Sequence, residues 1–212
     1  QFHYNCNFSM IFLPEKLYEK LLVRAKKNPE EIKLSMEYYK RQLKAITKNL
    51  EVHIIKEIFF AESMENLLNH QYLYLYSYQG IEKVKLEIPE IIAFIENAIS
   101  FFKKYKNFQL AVIYADNTQF KKYCECNFIL KERQGIYFNI LKPTAHASEI
   151  RFSINEPIFL RVFKDYFLDL WTQICPINKD SEETISWLEG KLEILKMKNN
   201  CHSERSEESL SF

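Results

Sequence analysis

The stretch SEIRFSINEPIFLRVFKDYFLDLWTQI, residues 148–174, decides the fold. Its first part alternates and predicts a short strand over 149–154, followed by a turn at Asn155, Glu156 and Pro157 and then a helix. Phe159, Phe163, Tyr166, Phe167, Leu170, Trp171 and Ile174 recur at steps of three and four, which gathers them on one helical face. Arg161, Lys164, Asp165 and Asp169 take the other face, with Arg161 and Asp165 at the favoured i,i+4 spacing. Pro157 suits a first helical turn, where its missing N–H costs nothing, and Asn155 or Glu156 is placed to cap the open amides. Burying one such large apolar side chain stabilises by roughly 1.5–3 kcal/mol. The helix therefore requires an apolar surface, and a sheet is the expected one.

Upstream, the same alternation of helix and strand repeats. The apolar run 8–13 predicts a buried strand, and Pro14 opens a helix over 15–27 with Leu17, Tyr18, Leu21 and Leu22 inward. Asn28-Pro29 breaks it and starts a second helix to about Lys48, whose outer side carries Lys33, Lys40, Arg41 and Lys44. A solvated face explains those charges without a ligand. Residues 51–60 predict a central strand and 61–70 a short helix. In 72–78 four tyrosines fall on one parity, with Leu73 and Leu75 on the other, a two-faced strand with one aromatic side. Residues 88–104 predict a long helix with proline in its first turn and lysines in its last, the order its dipole favours. The run 108–114 is apolar but for Gln109 and predicts another central strand. Residues 116–123 predict a short polar helix or loop. Residues 127–132 and 135–141 pair as a hairpin around Gly135, and 182–197 predict a last helix through Ile185, Leu188, Leu192 and Leu195.

The predicted architecture is α/β: a mixed sheet flanked by helices, one domain over 1–198, and a disordered tail over 199–212. The tail ends in CHSERSEESLSF, Ser/Glu/Arg-rich and without period, and resembles the translated ends of bacterial intergenic repeats. The chain opens on Gln1 and enters strand-like sequence at once, which predicts a piece of a longer protein. With 47% hydrophobic and 15% aromatic residues it can build a substantial core. The 29 basic and 28 acidic residues balance to +1, so a nucleic-acid surface is not expected from this segment. No apolar run is long enough to span a bilayer. Five cysteines, an odd number, and no secretory signal predict a reduced, cytoplasmic protein.

Catalytic motifs are sparse. The chain has three separated glycines and neither a GxGxxG nor a GxxxxGK[ST] loop, and it lacks GxSxG and HExxH. Cys124 and Cys126 form a CxC pair that His146 and Cys175 could complete as a zinc site, but the usual spacing is CxxC or longer and a second close pair is missing. No cofactor is expected. His53, within the predicted strand, reads first as a core histidine. If the protein is an enzyme, His53, Lys56, Glu57 and His70 are the candidate catalytic residues, brought together only by the fold. The adjacent acidic pairs, such as Glu30-Glu31 and Glu182-Glu183, lie on exposed segments and do not converge on a substrate.

The closing pattern GIYFNILKP…SEIRFSINEPIFLRVFKDYFLDLW resembles the end of phospholipase D-like domains, in which a hairpin strand leads to a strand of the type I-x-F-x-I-x-(D/N)-P and a helix of the type F-x-x-Y/F-F-x-x-L-W. The matching residues are Ile150, Phe152, Ile154, Asn155, Pro157, Phe163, Tyr166, Phe167, Leu170 and Trp171. The likeness covers about 127–174. Enzymes of that superfamily carry HxKxxxxD. Here His53 is followed by Ile54, Ile55 and Lys56, and His146 by Ala147 and Ser148, so that motif is missing. The resemblance therefore implies the non-catalytic members: a regulatory or ligand-sensing module, with a small-molecule ligand, a second copy or an upstream fused domain as partner. The alternatives are an enzyme of phosphodiester or nucleotide chemistry, and an interaction module using the 72–78 strand as a sheet edge.

Overall fold

Ile55–Phe60 and Phe108–Ile113 lie side by side as parallel strands, and each buries side chains on both faces of the sheet. A strand of that kind needs a helical layer on each side. The chain supplies both. A computed structural model describes residues 2–5, 10–77, 81–114, 126–131, 134–140 and 150–208. In order come β1 (Phe2–Asn5), a 3-10 turn at Met10–Phe12, α1 (Glu15–Arg24), α2 (Pro29–Leu50), β2 (Ile55–Phe60), α3 (Ala61–His70), β3 (Tyr72–Tyr76), β4 (Ile81–Lys85) and α4 (Ile88–Lys104). Then follow β5 (Phe108–Ile113), β6 (Cys126–Lys131), β7 (Gly135–Ile140), β8 (Ile150–Ile154), α5 (Pro157–Gln173), a 3-10 turn at Pro176–Lys179 and α6 (Ser181–Glu208).

The main sheet has the order β5-β2-β1-β6-β7-β8. Its first three strands are parallel, and β6, β7 and β8 continue it as an antiparallel meander. The fold is a mixed α/β architecture, as the alternation of elements predicts. On one face Ile55 and Phe59 of β2 and Phe108, Leu110 and Val112 of β5 join the buried sides of α1, α2, α3, α4 and α6. On the other, Ile58, Phe60, Ala111, Ile113, Phe128, Leu130, Ile136 and Phe138 meet Phe167, Leu170, Trp171 and Ile174 of α5 and the residue that follows it. The period of two in the strands thus sorts one sheet into two cores.

Local chemistry accounts for the boundaries. The Asn28 side chain accepts from the Glu31 amide (2.9 Å) while Glu31 accepts from the Asn28 amide (3.0 Å), a reciprocal cap that turns the Asn28-Pro29 break into the start of α2. The long helix α4 runs as its period predicts, with Ile91, Phe94, Ile95, Ala98, Ile99 and Phe102 all buried. In the β6–β7 hairpin, Gly135 has φ +146°, and a Cβ there would overlap the Asn155 side-chain oxygen. The Asn155 side chain lies against Gly135, and α5 starts from Glu156 without a side-chain cap, contrary to the capping role expected for either residue.

Four other expectations are corrected. The run 8–13 is no strand in its described part: Met10–Phe12 is a 3-10 turn, closed by the Leu13 amide donating to the Met10 carbonyl (3.0 Å). Phe12 and Leu13 are fully buried there, and the rings of Phe101, Phe102 and Phe108 surround Phe12 at centroid distances of 5.1–5.9 Å. A short apolar run reports burial, and burial alone does not distinguish a strand from a plug. The central strand predicted over 51–60 begins at Ile55, because 51–53 still turn off the end of α2. β5, apolar but for Gln109, is an end strand among the described residues; the Pro176–Lys179 turn and α6 pack against it. Finally, Ile81–Lys85, unassigned in the sequence, is β4, which pairs with β3 as a separate two-stranded sheet. The predicted polar segment 116–123 lies outside the described residues. In α6 the last buried side chain among those described is Leu195.

One ion cluster ties the first half together. The Arg24 guanidinium donates from both terminal nitrogens to the two Glu90 oxygens (2.7 Å each), and Lys20 reaches Glu90 Oε1 at 2.7 Å. Arg24 also donates to the Lys85 carbonyl (2.7 Å), so α1, the β4 strand and the start of α4 share one node. Burial alone would push the Glu90 carboxyl up, but the bonds from Arg24, the Glu87 amide and Lys20 outweigh it and hold the group at about 2. A carboxylate depressed in the folded state contributes its full stability above its unfolded value near 4.3 and loses it as pH falls toward 2. Glu90→Gln should therefore cost about 3 kcal/mol at neutral pH. The gap between wild type and variant, read as urea midpoints along a falling pH series, should close between roughly pH 5 and 2. A gap that stays constant over that window would show that the cluster does not act through the Glu90 charge.

Candidate functional site

The residues singled out for chemistry are separated by strand geometry. Lys56 and Glu57 are neighbours on β2 and so point to opposite faces of the sheet. Glu57 is 1% exposed on the many-helix face, between Ile55 and Phe59, and stands across the ladder from His3 of β1 and Leu110 of β5. Lys56 is half-buried on the α5 face. His53 is exposed in the turn before β2, its amide donating to the Asn49 carbonyl (2.8 Å), rather than set within a strand. His70 ends α3 and is exposed as well. Lys56 and Glu57 are thus separated by the sheet, and both histidines lie outside the core.

The possible zinc ligands are only partly described. Cys124 and His146 lie outside the described residues, Cys126 begins β6, and Cys175 is a free, exposed cysteine between α5 and the Pro176–Lys179 turn. Among the described residues no group of three His, Cys, Asp or Glu side chains is placed to hold a metal ion.

A different arrangement forms around Trp171. This indole is 9% exposed, stacks on Phe167 at 6.0 Å and closes the α5 core. The Lys56 ammonium lies 5.1 Å from its ring centroid and the Lys179 ammonium 5.9 Å. Lys179 also donates to the Trp171 carbonyl (2.8 Å), a bond of the kind that satisfies a helix C-terminus. Neither lysine meets a carboxylate among the described residues. Burial first, and the nearby Lys179 charge second, push the Lys56 ammonium below the usual lysine range. Two cations on one indole can hold a small anion, and a lysine amine that loses its proton early can accept one in a reaction. Lys56 was visible as a candidate in the sequence. Its partners Trp171 and Lys179 were not, because they lie more than a hundred residues downstream and only the α5 turn returns them to β2.

No helix among the described residues is long and apolar enough to cross a membrane. The exposed basic side of α2 is present as predicted: Lys33, Lys40, Arg41 and Lys44 all face solvent, with Lys40 paired to Glu15 at 2.9 Å. The alternation in β3 also holds, with Leu73 and Leu75 buried and Tyr72 and Tyr74 each 42% exposed.

The two lysines are coupled in a checkable way. Acylation of amines followed by peptide mass spectrometry along a rising pH series should find Lys56 reactive at lower pH than an ordinary lysine near 10.4. Lys179→Met removes one of the two downward pressures, so Lys56 should then need a higher pH. An unchanged profile in that variant would separate the two charges. For the function itself no relative offers a guide: the chain matches no protein-family model, no curated protein and no solved structure.

Proposed function

We propose that this chain is a non-catalytic regulatory or ligand-sensing module that acts by binding, and that a second copy of it docks at the edge formed by β8 and the start of α5. The observation that carries the reading is the apolar surface there. Phe152 is 43% exposed on β8, and Ile158, Phe159 and Val162 are 54%, 48% and 55% exposed on the first turns of α5. Phe159 was expected on the buried face with Phe163 and Phe167. The buried stretch of the helix instead starts further along, with Phe167, Leu170 and Trp171. A patch of this kind at a sheet edge marks an interaction site.

Self-pairing fits the edge. Among the described residues β8 has a single neighbour, β7, and two copies related by a two-fold axis would pair their β8 strands antiparallel. Arg161 and Asp165, both exposed beside Val162, offer opposite charges to a copy arriving in that direction. The dispersal of Lys56, Glu57, His53 and His70 supports a binding role over catalysis. The likeness of Ile150 to Trp171 to the closing unit of phospholipase D-like domains, without HxKxxxxD, agrees with it. The bacterial and cytoplasmic setting belongs to the same proposal.

A second reading, an enzyme of phosphodiester or nucleotide chemistry, is favoured by one observation: the lowered ammonium of Lys56 beside Trp171. Two measurements decide. Light scattering after size exclusion should give the mass of a dimer, and Phe159→Asp with Val162→Asp should give a monomer that still melts cooperatively, its midpoint no longer rising with protein concentration, since both side chains are exposed in the single chain. A strict monomer at high concentration would end the self-pairing proposal. Turnover of a phosphodiester or nucleotide that Lys56→Met abolishes would replace the binding module with the enzyme.

A further inference from the structure

The β3–β4 hairpin carries chemistry that the chain's balanced total charge conceals. Its register sets Tyr72 opposite Lys85 and Tyr74 opposite Lys83, so these four residues share one face. Leu73 and Val84 share the other, where they are 6% and 4% exposed and join the main core. The outer face is open: Tyr72 and Tyr74 are each 42% exposed, and both lysines are exposed. The Lys83 ammonium lies 4.5 Å from the Tyr72 ring centroid, so charge and ring are presented together. No described carboxylate shares that face. Glu82, the acidic residue of β4, pairs with buried Leu75 on the inner side and is held by Lys27 at 2.8 Å.

The hairpin is also fixed in place. The Tyr18 hydroxyl donates to the Tyr76 carbonyl (2.7 Å), Arg24 to the Lys85 carbonyl (2.7 Å), and the Leu86 amide to the Gln71 carbonyl (2.7 Å). An isolated two-stranded hairpin is marginal in water. This one is bolted to α1 along its length. Alternate residues on a strand stand about 7 Å apart on one face, so Tyr72 and Tyr74 form a short row of rings with a lysine beside each. Rings accept the faces of unstacked bases, and the adjoining ammonium groups meet the phosphates between them.

We propose that the outer face of the β3–β4 hairpin binds single-stranded nucleic acid, with Tyr72 and Tyr74 stacking on bases and Lys83 and Lys85 contacting the phosphate backbone. A carbohydrate would use the rings but has no need of the two exposed cations. A duplex keeps its bases stacked away from the rings. A single strand uses both the charge and the rings. The expectation of no nucleic-acid surface rested on a net charge summed over the whole chain, and a local face with no described acid is invisible to such a sum. The proposal is independent of the β8–α5 edge, which lies at the end of a different sheet.

Fluorescence anisotropy of the full chain with labelled oligouridylate, oligothymidylate and a duplex of matching length tests it. Binding of the single strands should weaken as salt rises. Tyr74→Ala should weaken it roughly tenfold while Tyr74→Phe retains it, because stacking needs the ring and not the hydroxyl. Lys83→Gln should lower affinity across sequences and reduce the salt slope by about one. Each variant should melt with wild type, as its side chain is exposed. Equal affinity for the duplex, or single-strand binding that neither Tyr74→Ala nor Lys83→Gln changes, overturns the proposal. So does no binding at low salt, or a Tyr74→Ala variant whose only change is a loss of self-association.

Discussion

Burial on both faces of β2 and β5 is the constraint from which the remaining structure follows. A strand of the composition Ile55-Lys-Glu-Ile-Phe-Phe60 cannot leave either side in water, because Ile55 and Phe59 on one parity and Ile58 and Phe60 on the other are all apolar. One layer comes from the helices of the first half together with α6. The other comes from α5, which among the described residues is the helix that covers that side. This explains why the chain must return after the β6–β8 meander. An amphipathic helix arrives late in sequence, and it closes a core whose strand β2 was laid down about a hundred residues earlier. It also explains the ends of the sheet. The β5 edge is covered as a by-product of the return from α5 to α6, whereas nothing described covers β8.

The same constraint disperses the polar groups. A charged residue on a two-faced strand must sit in one of two cores, and β2 carries one of each sign at adjacent positions. Glu57 goes to the many-helix side. Lys56 goes to the side of α5, where Trp171 receives its stem and charge. Adjacent residues in a strand never act on one substrate from the same face, so a sequence reading that pairs Lys56 with Glu57 is undone by the period of two. Conversely, Lys56 and Lys179 are 123 residues apart and share one indole. Sites of this kind come from layer packing, and local sequence carries no trace of them.

Much of the fold was legible because periodicity reports faces. The α4 stripe from Ile91 to Phe102, the α6 stripe from Ile185 to Leu195, the β6–β7 hairpin and the alternation of β3 could all be read from spacing alone. What could not be read were matters of position. The run 8–13 was apolar because Phe12 plugs the cluster of Phe101, Phe102 and Phe108, with its carbonyl accepting from Asn97 (2.8 Å) and that of Leu13 from Tyr39 (2.5 Å). The run 108–113 was apolar but for Gln109 because both faces are covered, a condition that an end strand meets when a turn and a helix shield it. Phe159 kept the period of its helix and still lies outside, because period fixes the side of a helix and not where the sheet beneath it stops. The strand β4 was hidden by its mixture of charge and branched residues. Its alternation with β3 across Gly80 was the signal present in the sequence.

The exposed faces that remain follow from the same geometry. The first turns of α5 expose Ile158, Phe159 and Val162, beside an end strand with a single described neighbour. The β3–β4 hairpin is an insertion between α3 and α4, outside the main sheet, with one face used up by Leu73, Leu75 and Val84. On its other face Tyr72, Tyr74, Lys83 and Lys85 are exposed. Exposed residues are where selection for binding can act without loss of stability, and here they are tyrosine and lysine in alternation. The two open surfaces differ accordingly. One is apolar and adjoins a strand edge, which suits another copy of the chain. The other is aromatic and cationic on a rigid platform, which suits a flexible polyanion with flat bases.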